Sequence, residues 1–312
     1  MVVPVDHKGH VKFIPLPADG SNPYAAITDW LNFTFPIKEK EELGLRLRSL
    51  FDVIGRDLAP AVERPIGKHN YARSFSLGET KALFCCGGNA NTALVSLPGE
   101  VCALVNDWSA VVQLGRDEWG GHITRWDGAV DDYLGVHGVD EALRLHQEGL
   151  FGSGGNQPKC KVHGGWFPPD GSGRSVQIGR RENGKRLLVY EKGMQLGLAW
   201  HPWVRWELSY GNKGRDVPWE VLLEPGAYVV GAYPKALAWV QETMSRVRTL
   251  QKQTQIGYDT AMHHARNQFG HLLSLAVEVE GSPEKAVAKL VRPGVPRRVR
   301  HPAVKDPEGW IE

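Results

Sequence analysis

Between Ser175 and Lys192, two runs of alternating residues flank the pair Asn183-Gly184. Asn-Gly between alternating runs is the strongest short-range signal for a β-hairpin, and it predicts a type I′ turn here. A tight hairpin commits the chain to antiparallel pairing, so partner strands must be found. Asp29–Phe35 sets Trp30, Asn32 and Thr34 against Leu31, Phe33 and Phe35, a strand with one apolar face that Pro36 ends. Residues 81–86, 92–97, 121–132 and 203–210 also read as strands, with Gly87-Gly88 and Pro98-Gly99 as turns. Residues 38–54 read as a helix, with Leu43, Leu47, Leu50, Phe51 and Ile54 on one face. Residues 102–113 and 140–148 read as shorter helices. Residues 152–173, dense in Gly and Pro, read as a loop.

The character changes after Pro234. Residues 235–253 and 259–278 read as helices, the second with a stripe of Met262, Ala265, Phe269, Leu272, Leu273 and Ala276. A third, 282–290, opens with the capping pattern Ser-Pro-Glu-Lys. The expected class is α+β: a mainly antiparallel sheet packed with helices, followed by a helical C-terminal segment. The expected parts are a flexible arm over 1–24, a sheet domain over 25–234, and a helical segment with a basic tail over 235–312.

The 312 residues allow one large domain or two smaller ones, and 42% apolar residues suffice for a core. No apolar run reaches the length of a membrane span, and the first residues do not read as a secretory signal. Cys85, Cys86, Cys102 and Cys160 form no ligand-like spacing, which suits reduced thiols in a cytoplasmic protein. Net charge is only +2, so no global field marks a nucleic-acid binder. The tail from Lys285 to Lys305 nevertheless carries seven cations and no acid, a pattern that suits phosphate contacts or simply a solvated end.

Three strands carry side chains with chemical potential. In Arg125-Trp-Asp-Gly-Ala-Val-Asp-Asp132, the alternating set Arg125, Asp127, Ala129 and Asp131 shares a face. Asp127 and Asp131 stand about 13 Å apart along it, so a cation at Asp127 needs a carboxylate from a neighbouring strand. Mg²⁺ or Mn²⁺ is the natural ion, since both prefer oxygen; the alternative is a solvated strand face. In Trp203–Ser209, Arg205, Glu207 and Ser209 share a face and echo the Arg-x-Asp of the earlier strand. In the outgoing hairpin arm, Tyr190 lies between Leu188 and Lys192. A tyrosine beside a lysine can serve as a nucleophile, or as an ordinary strand residue. No phosphate-binding G-x-x-x-x-G-K-[ST] loop and no H-E-x-x-H helix occurs.

This ordered set resembles the replication initiation factor family, found in initiators of rolling-circle plasmids and in replication proteins of filamentous phages, the phage branch being nearer. The resemblance runs through Asp29–Phe35, Gly121–Asp132, Ile178–Gln195, Val204–Leu208, Leu223–Tyr228 and Arg292–Pro296. It implies an enzyme that nicks one strand at an origin, keeps the 5′ phosphate on a tyrosine and leaves a 3′ hydroxyl. Tyr190 matches that tyrosine, with Lys192 beside it; Asp127 and Glu207 match the strand carboxylates expected to hold the metal. The DNA contacts it implies are Arg125, Arg180, Arg181, Lys185, Arg205, Arg297, Arg298 and Arg300. Implied partners are double-stranded origin DNA, single-stranded DNA, a host helicase and polymerase, and a second copy of the chain; no membrane is involved. The alternative is an origin-binding protein without nuclease activity that recruits host factors. Two departures stand out. Trp126 and Gly128 replace the more usual aliphatic residues, and Met194-Gln-Leu-Gly197 lacks an acid, leaving only the neutral carbonyl of Gln195.

Overall fold

Antiparallel pairing joins ten strands into one sheet: β1 (Ala26–Pro36), β2 (Ala61–Glu63), β3 (Arg73–Leu77), β4 (Leu83–Cys86), β5 (Thr92–Pro98), β6 (His122–Asp132), β7 (Cys160–His163), β8 (Ser175–Arg180), β9 (Lys185–Glu191) and β10 (Val204–Gly211). Their order is β2-β3-β4-β5-β1-β6-β10-β9-β8-β7, so β1, β6 and β10 lie at the centre. This computed structural model describes residues 24–37, 42–152, 156–240, 256–291 and 299–300. The chain divides into two units, 1–250 and 251–312. The first holds the sheet with α1 (Glu42–Ile54), α2 (Gly99–Cys102), α3 (Trp108–Val112), α4 (Val139–Gln147), α5 (Lys192–Gln195) and α6 (Pro225–Ala232). The second holds α7 (Tyr258–Glu280), α8 (Pro283–Leu290) and a short parallel pair, β11 (Ile256–Gly257) with β12 (Val299–Arg300). Ser282 caps α8 by accepting the N–H of Lys285. Architecture is thus α+β. Among the described residues no helix is long and apolar enough to cross a membrane.

The alternation of β1 sets the layering. Leu31, Phe33 and Phe35 are fully buried. Phe33 and Phe35 pack on the rings of Trp119 and Trp219, which the segments following β5 and β10 supply. Each such side chain contributes about 1.5–3 kcal/mol by leaving water. Trp126 of β6 joins this face, its indole N–H donating to Thr28 Oγ1 at 3.1 Å. Its ring lies over Gly128: a Cβ there would sit 2.3 Å from the indole. The two unusual residues in β6 are therefore one packing unit, a large ring accommodated by a missing side chain.

Several local expectations are corrected. β8 and β9 pair from Arg180 opposite Lys185, so the connection has four residues, not two. Residues 181–183 form a 3₁₀ turn, and only Gly184 adopts positive φ; a type I′ turn would need it at Asn183 as well. Residues 152–173 are not all loop, because β7 adds an exposed edge strand within them. Pro98-Gly99 is not a turn but the entry to α2. The helix expected over 102–113 is split. Asp107 caps α3 by accepting from Ser109 and Ala110, and a π-helical turn follows at Gln113–Glu118. Residues 38–41 of the first expected helix lie outside the described residues, as do 241–255 of the later one. Residues 235–240 include a 3₁₀ segment in the first unit, with Leu237 and Val240 fully buried in its core. The expected arm over 1–24 also lies outside, apart from Tyr24.

Gly128→Ala should lower stability by about 1–3 kcal/mol through overpacking against Trp126, read as the midpoint of urea unfolding. An unchanged midpoint would show that the indole has room to move.

Candidate functional site

Across β9, β10 and β6, the register aligns three rows on one face. Tyr190 lies opposite Arg205, and Arg205 opposite Asp131. Leu188, Glu207 and Ala129 form the next row, and Arg186, Ser209 and Asp127 the third. Side chains two apart along a strand share a face, so these nine face the same way. Glu207 and Asp127 are diagonal neighbours, close enough for the charge of Asp127 to act on Glu207. β1 extends the face with Trp30 opposite Asp127 and Asn32 opposite Arg125. The β1–β6 register slips between Thr28 and Trp30, and Asp29 occupies the slip.

Tyr190 Oη donates to Glu207 Oε2 at 3.3 Å, and Lys192 Nζ donates to Tyr190 Oη at 3.4 Å. Lys192 opens α5 instead of continuing the strand, so its ammonium curls back over the ring, 5.5 Å from the centroid. The carbonyl oxygen of Gln195 accepts from it at 2.9 Å. Glu207 Oε1 takes a bond from Arg186 at 3.2 Å, and Arg186 also donates to Ser209 Oγ at 3.3 Å. Asp127 is paired with Arg125, whose guanidinium lies 4.3 Å over the Trp30 ring.

Burial governs the charges. The Tyr190 phenol is held well above its usual value, first by burial and then by the negative charge of Glu207. The Arg205 guanidinium acts in the opposite direction and is outweighed. Glu207 is itself raised, first by burial and then by Asp127 and Asp29. Lys192 is lowered, by burial and by Arg205. The pair Tyr190–Glu207 is therefore a protonated donor facing a carboxylate with more affinity for a proton than usual.

Arg205 is 7% exposed, and its guanidinium is taken up within the sheet. It donates from Nε to Asp131 Oδ1 at 2.7 Å, from Nη2 to Asp131 Oδ2 at 2.6 Å and from Nη1 to Asp29 Oδ1 at 2.7 Å. Trp203 Nε1 adds a bond to Asp131 Oδ1 at 2.7 Å. Arg180 and Lys185 lie across the sheet from Tyr190, because Lys185 is five positions from it, an odd step that changes face. Arg181 is exposed in the 3₁₀ turn. Arg300 belongs to β12 in the second unit, and Arg297 and Arg298 lie outside the described residues.

Sequence reasoning missed Arg186 and Asp29. Arg186 was legible, since two steps back from Leu188 along the alternating arm reach it. Asp29 was not, because a slipped register carries no periodic signature. Removing the bridge by Arg205→Ala leaves Asp131 and Asp29 without it and should cost about 3–5 kcal/mol in urea unfolding. A cost under about 1 kcal/mol would show that water replaces it.

A family model described as replication initiation factor matches residues 121–291, more than half of the chain. Asp127, Tyr190, Lys192 and Glu207 fall inside this span; Asp29 precedes it. A curated relative, the candidate DNA relaxase NicK of Bacillus subtilis (strain 168), is 20% identical over 222 residues, 65% of this chain. The match covers 60% of that protein's length. The solved structure of a rolling circle replication initiator protein from Geobacillus stearothermophilus has the same fold, with a TM-score of 0.54 at 19% identity, covering 68% of this chain and 84% of that one. On the extent of the family match, this chain belongs to the replication initiation factor family.

Proposed function

We propose that this protein starts rolling-circle replication by nicking one DNA strand at an origin, with Tyr190 as the nucleophile. The observation that carries this reading is the contact of the Tyr190 hydroxyl with Glu207 on one side and Lys192 on the other. Glu207 Oε2 receives the phenolic proton as Tyr190 Oη bonds to phosphorus. The bond from phosphorus to the 3′ oxygen breaks, and that oxygen leaves as a hydroxyl after taking a proton from solvent. The 5′ phosphate stays on Tyr190, and reversal of the step rejoins the strand. Lys192 balances the phosphate charge near the attacking oxygen. Arg205 is a positioning residue, holding the strand opposite Tyr190 in place. Arg125 and the exposed Arg181, with the basic tail, supply the DNA contacts, while Arg180 and Lys185 face away from Tyr190 and take no part at the nick.

Asp127 and Glu207 suit Mg²⁺ or Mn²⁺, hard cations that take oxygen ligands. Support comes from the acids around Glu207: after burial, Asp127 and Asp29 both raise it, and a cation would offset that repulsion. Among the described residues no group of three or more His, Cys, Asp or Glu could hold an ion alone. Two carboxylates completed by water and substrate phosphate oxygens are the usual Mg²⁺ arrangement. Such an ion, when bound, polarises the phosphoryl oxygens.

The test uses supercoiled DNA carrying the chain's own coding region and flanks, with Mg²⁺ or Mn²⁺, followed by protease under denaturing conditions. Open circles with a peptide on the 5′ end are expected. Tyr190→Phe should abolish them while DNA binding remains, and full cleavage by that variant would move the nucleophile elsewhere. Glu207→Gln should slow nicking by about 10²–10⁴. DNA that is bound but never cut would favour the non-catalytic origin binder. In a separate titration, Asp127→Asn should shift the metal dependence to higher concentration; an unchanged curve would exclude Asp127 as a ligand.

A further inference from the structure

On the face of the sheet turned away from Tyr190, the end of the β8–β9 hairpin borders a cavity of about 350 Å³. Its wall includes Lys159, Arg180, Lys185 and Arg215, with Asn183 among the polar groups, and among the described residues no acidic side chain lines it. Tyr233 forms another part of the wall. Tyr233 is 2% exposed, and its buried hydroxyl has no hydrogen-bond partner among the described residues. A buried donor without a partner is uncommon, because it has given up water for nothing in return. The hydroxyl lies beside Gly179, where even a Cβ would come within 3.6 Å of it.

Lys185 is the second unusual group. Its ammonium donates to the Ala232 carbonyl at 3.0 Å and rests 4.0 Å over the Tyr233 ring. Burial, and then Arg215, push it down to about 8. Lys185 and Arg180 thus lie together where, among the described residues, no carboxylate lines the wall. We propose that this cavity is a phosphate-binding pocket for a nucleotide, separate from the nicking centre, with Lys185, Arg180 and the Tyr233 hydroxyl on the phosphate. An anion would give the phenol an acceptor and the ammonium a countercharge. The volume lies at the lower end of the range for small-molecule sites and exceeds what a phosphate alone fills, leaving room for its sugar or base. The amide of Asn183 at the hairpin turn offers a donor and an acceptor for that part. The nucleotide could belong to a DNA strand or be free; the chemistry is the same.

This pocket does not depend on the nick. Lys185 and Tyr190 are five residues apart along β9, about 16 Å, and on opposite faces. The groups facing Lys185 are Arg180, Arg215, Lys159 and the phenols of Tyr233 and Tyr210, the last directly opposite it on β10.

The experiment measures binding of three probes to the full chain: inorganic phosphate, a deoxynucleoside 5′-monophosphate and a short single-stranded oligonucleotide. Tyr233→Phe removes only an oxygen without an internal partner, so the fold should persist and affinity should fall about tenfold. Lys185→Met should cost as much, and exposed Lys159→Ala gives a further variant at no risk to the core. Binding should weaken as pH rises from 7 to 9, since the Lys185 amine is charged below about 8 and neutral above it. That weakening should vanish in Lys185→Met. Tyr190→Phe should keep the affinity, which separates failure of this pocket from failure of the nicking reading. Loss of monophosphate binding in the pocket variants marks a free-nucleotide site; loss of oligonucleotide binding alone marks a strand phosphate. If all three probes bind the wild type and the Tyr233, Lys185 and Lys159 variants equally, or none binds, the proposal is wrong.

Discussion

Arg205 carries a buried positive charge from β10 onto carboxylates of two other strands, Asp131 of β6 and Asp29 of β1. Taking three charges out of water is costly, and it is tolerated only where hydrogen bonds satisfy the groups. Here the guanidinium gives three bonds and the Trp203 indole gives a fourth to Asp131. A one-residue slip of any central strand would point one of these charges to the hydrocarbon side. The bridge therefore holds the register, and the register puts Tyr190, Glu207 and Asp127 on a common surface. The arrangement of these three side chains thus rests on an interaction that none of them makes.

Burial gives the site its character a second time. A phenol raised by its surroundings is a poor nucleophile until something removes its proton. In the proposed reaction Glu207, raised by the same surroundings, is the group that does so. Both shifts begin with burial, to which neighbouring acids add.

Much of this surface was legible from alternation. Leu31, Phe33 and Phe35 marked the core face of β1, and the run from Lys185 to Tyr190 marked both faces of the hairpin arm. The joint face of Arg125, Asp127 and Asp131 followed from the same rule, as did that of Arg205, Glu207 and Ser209. Alternation within a strand does not say which strands adjoin, so the meeting of Asp127 with Glu207 required the fold. Irregularities stayed hidden for a physical reason. The slip at Asp29, the 3₁₀ turn at Arg181–Asn183 and the edge strand β7 in a Gly-rich stretch each depend on tertiary contacts. Gly184, whose Cβ would press on the Lys213 carbonyl, shows this: Asn-Gly marked the bend, but its neighbours set the turn type.

The odd spacing between Lys185 and Tyr190 has a consequence for how such a hairpin can change in descent. A single inserted or deleted residue between them would rotate the remainder of the arm by half a turn. It would bring the phenol to the side where Leu187 and Val189 are sealed, and carry those two out to solvent. Length changes in this arm are thus tolerable only in pairs, or where a bulge absorbs them.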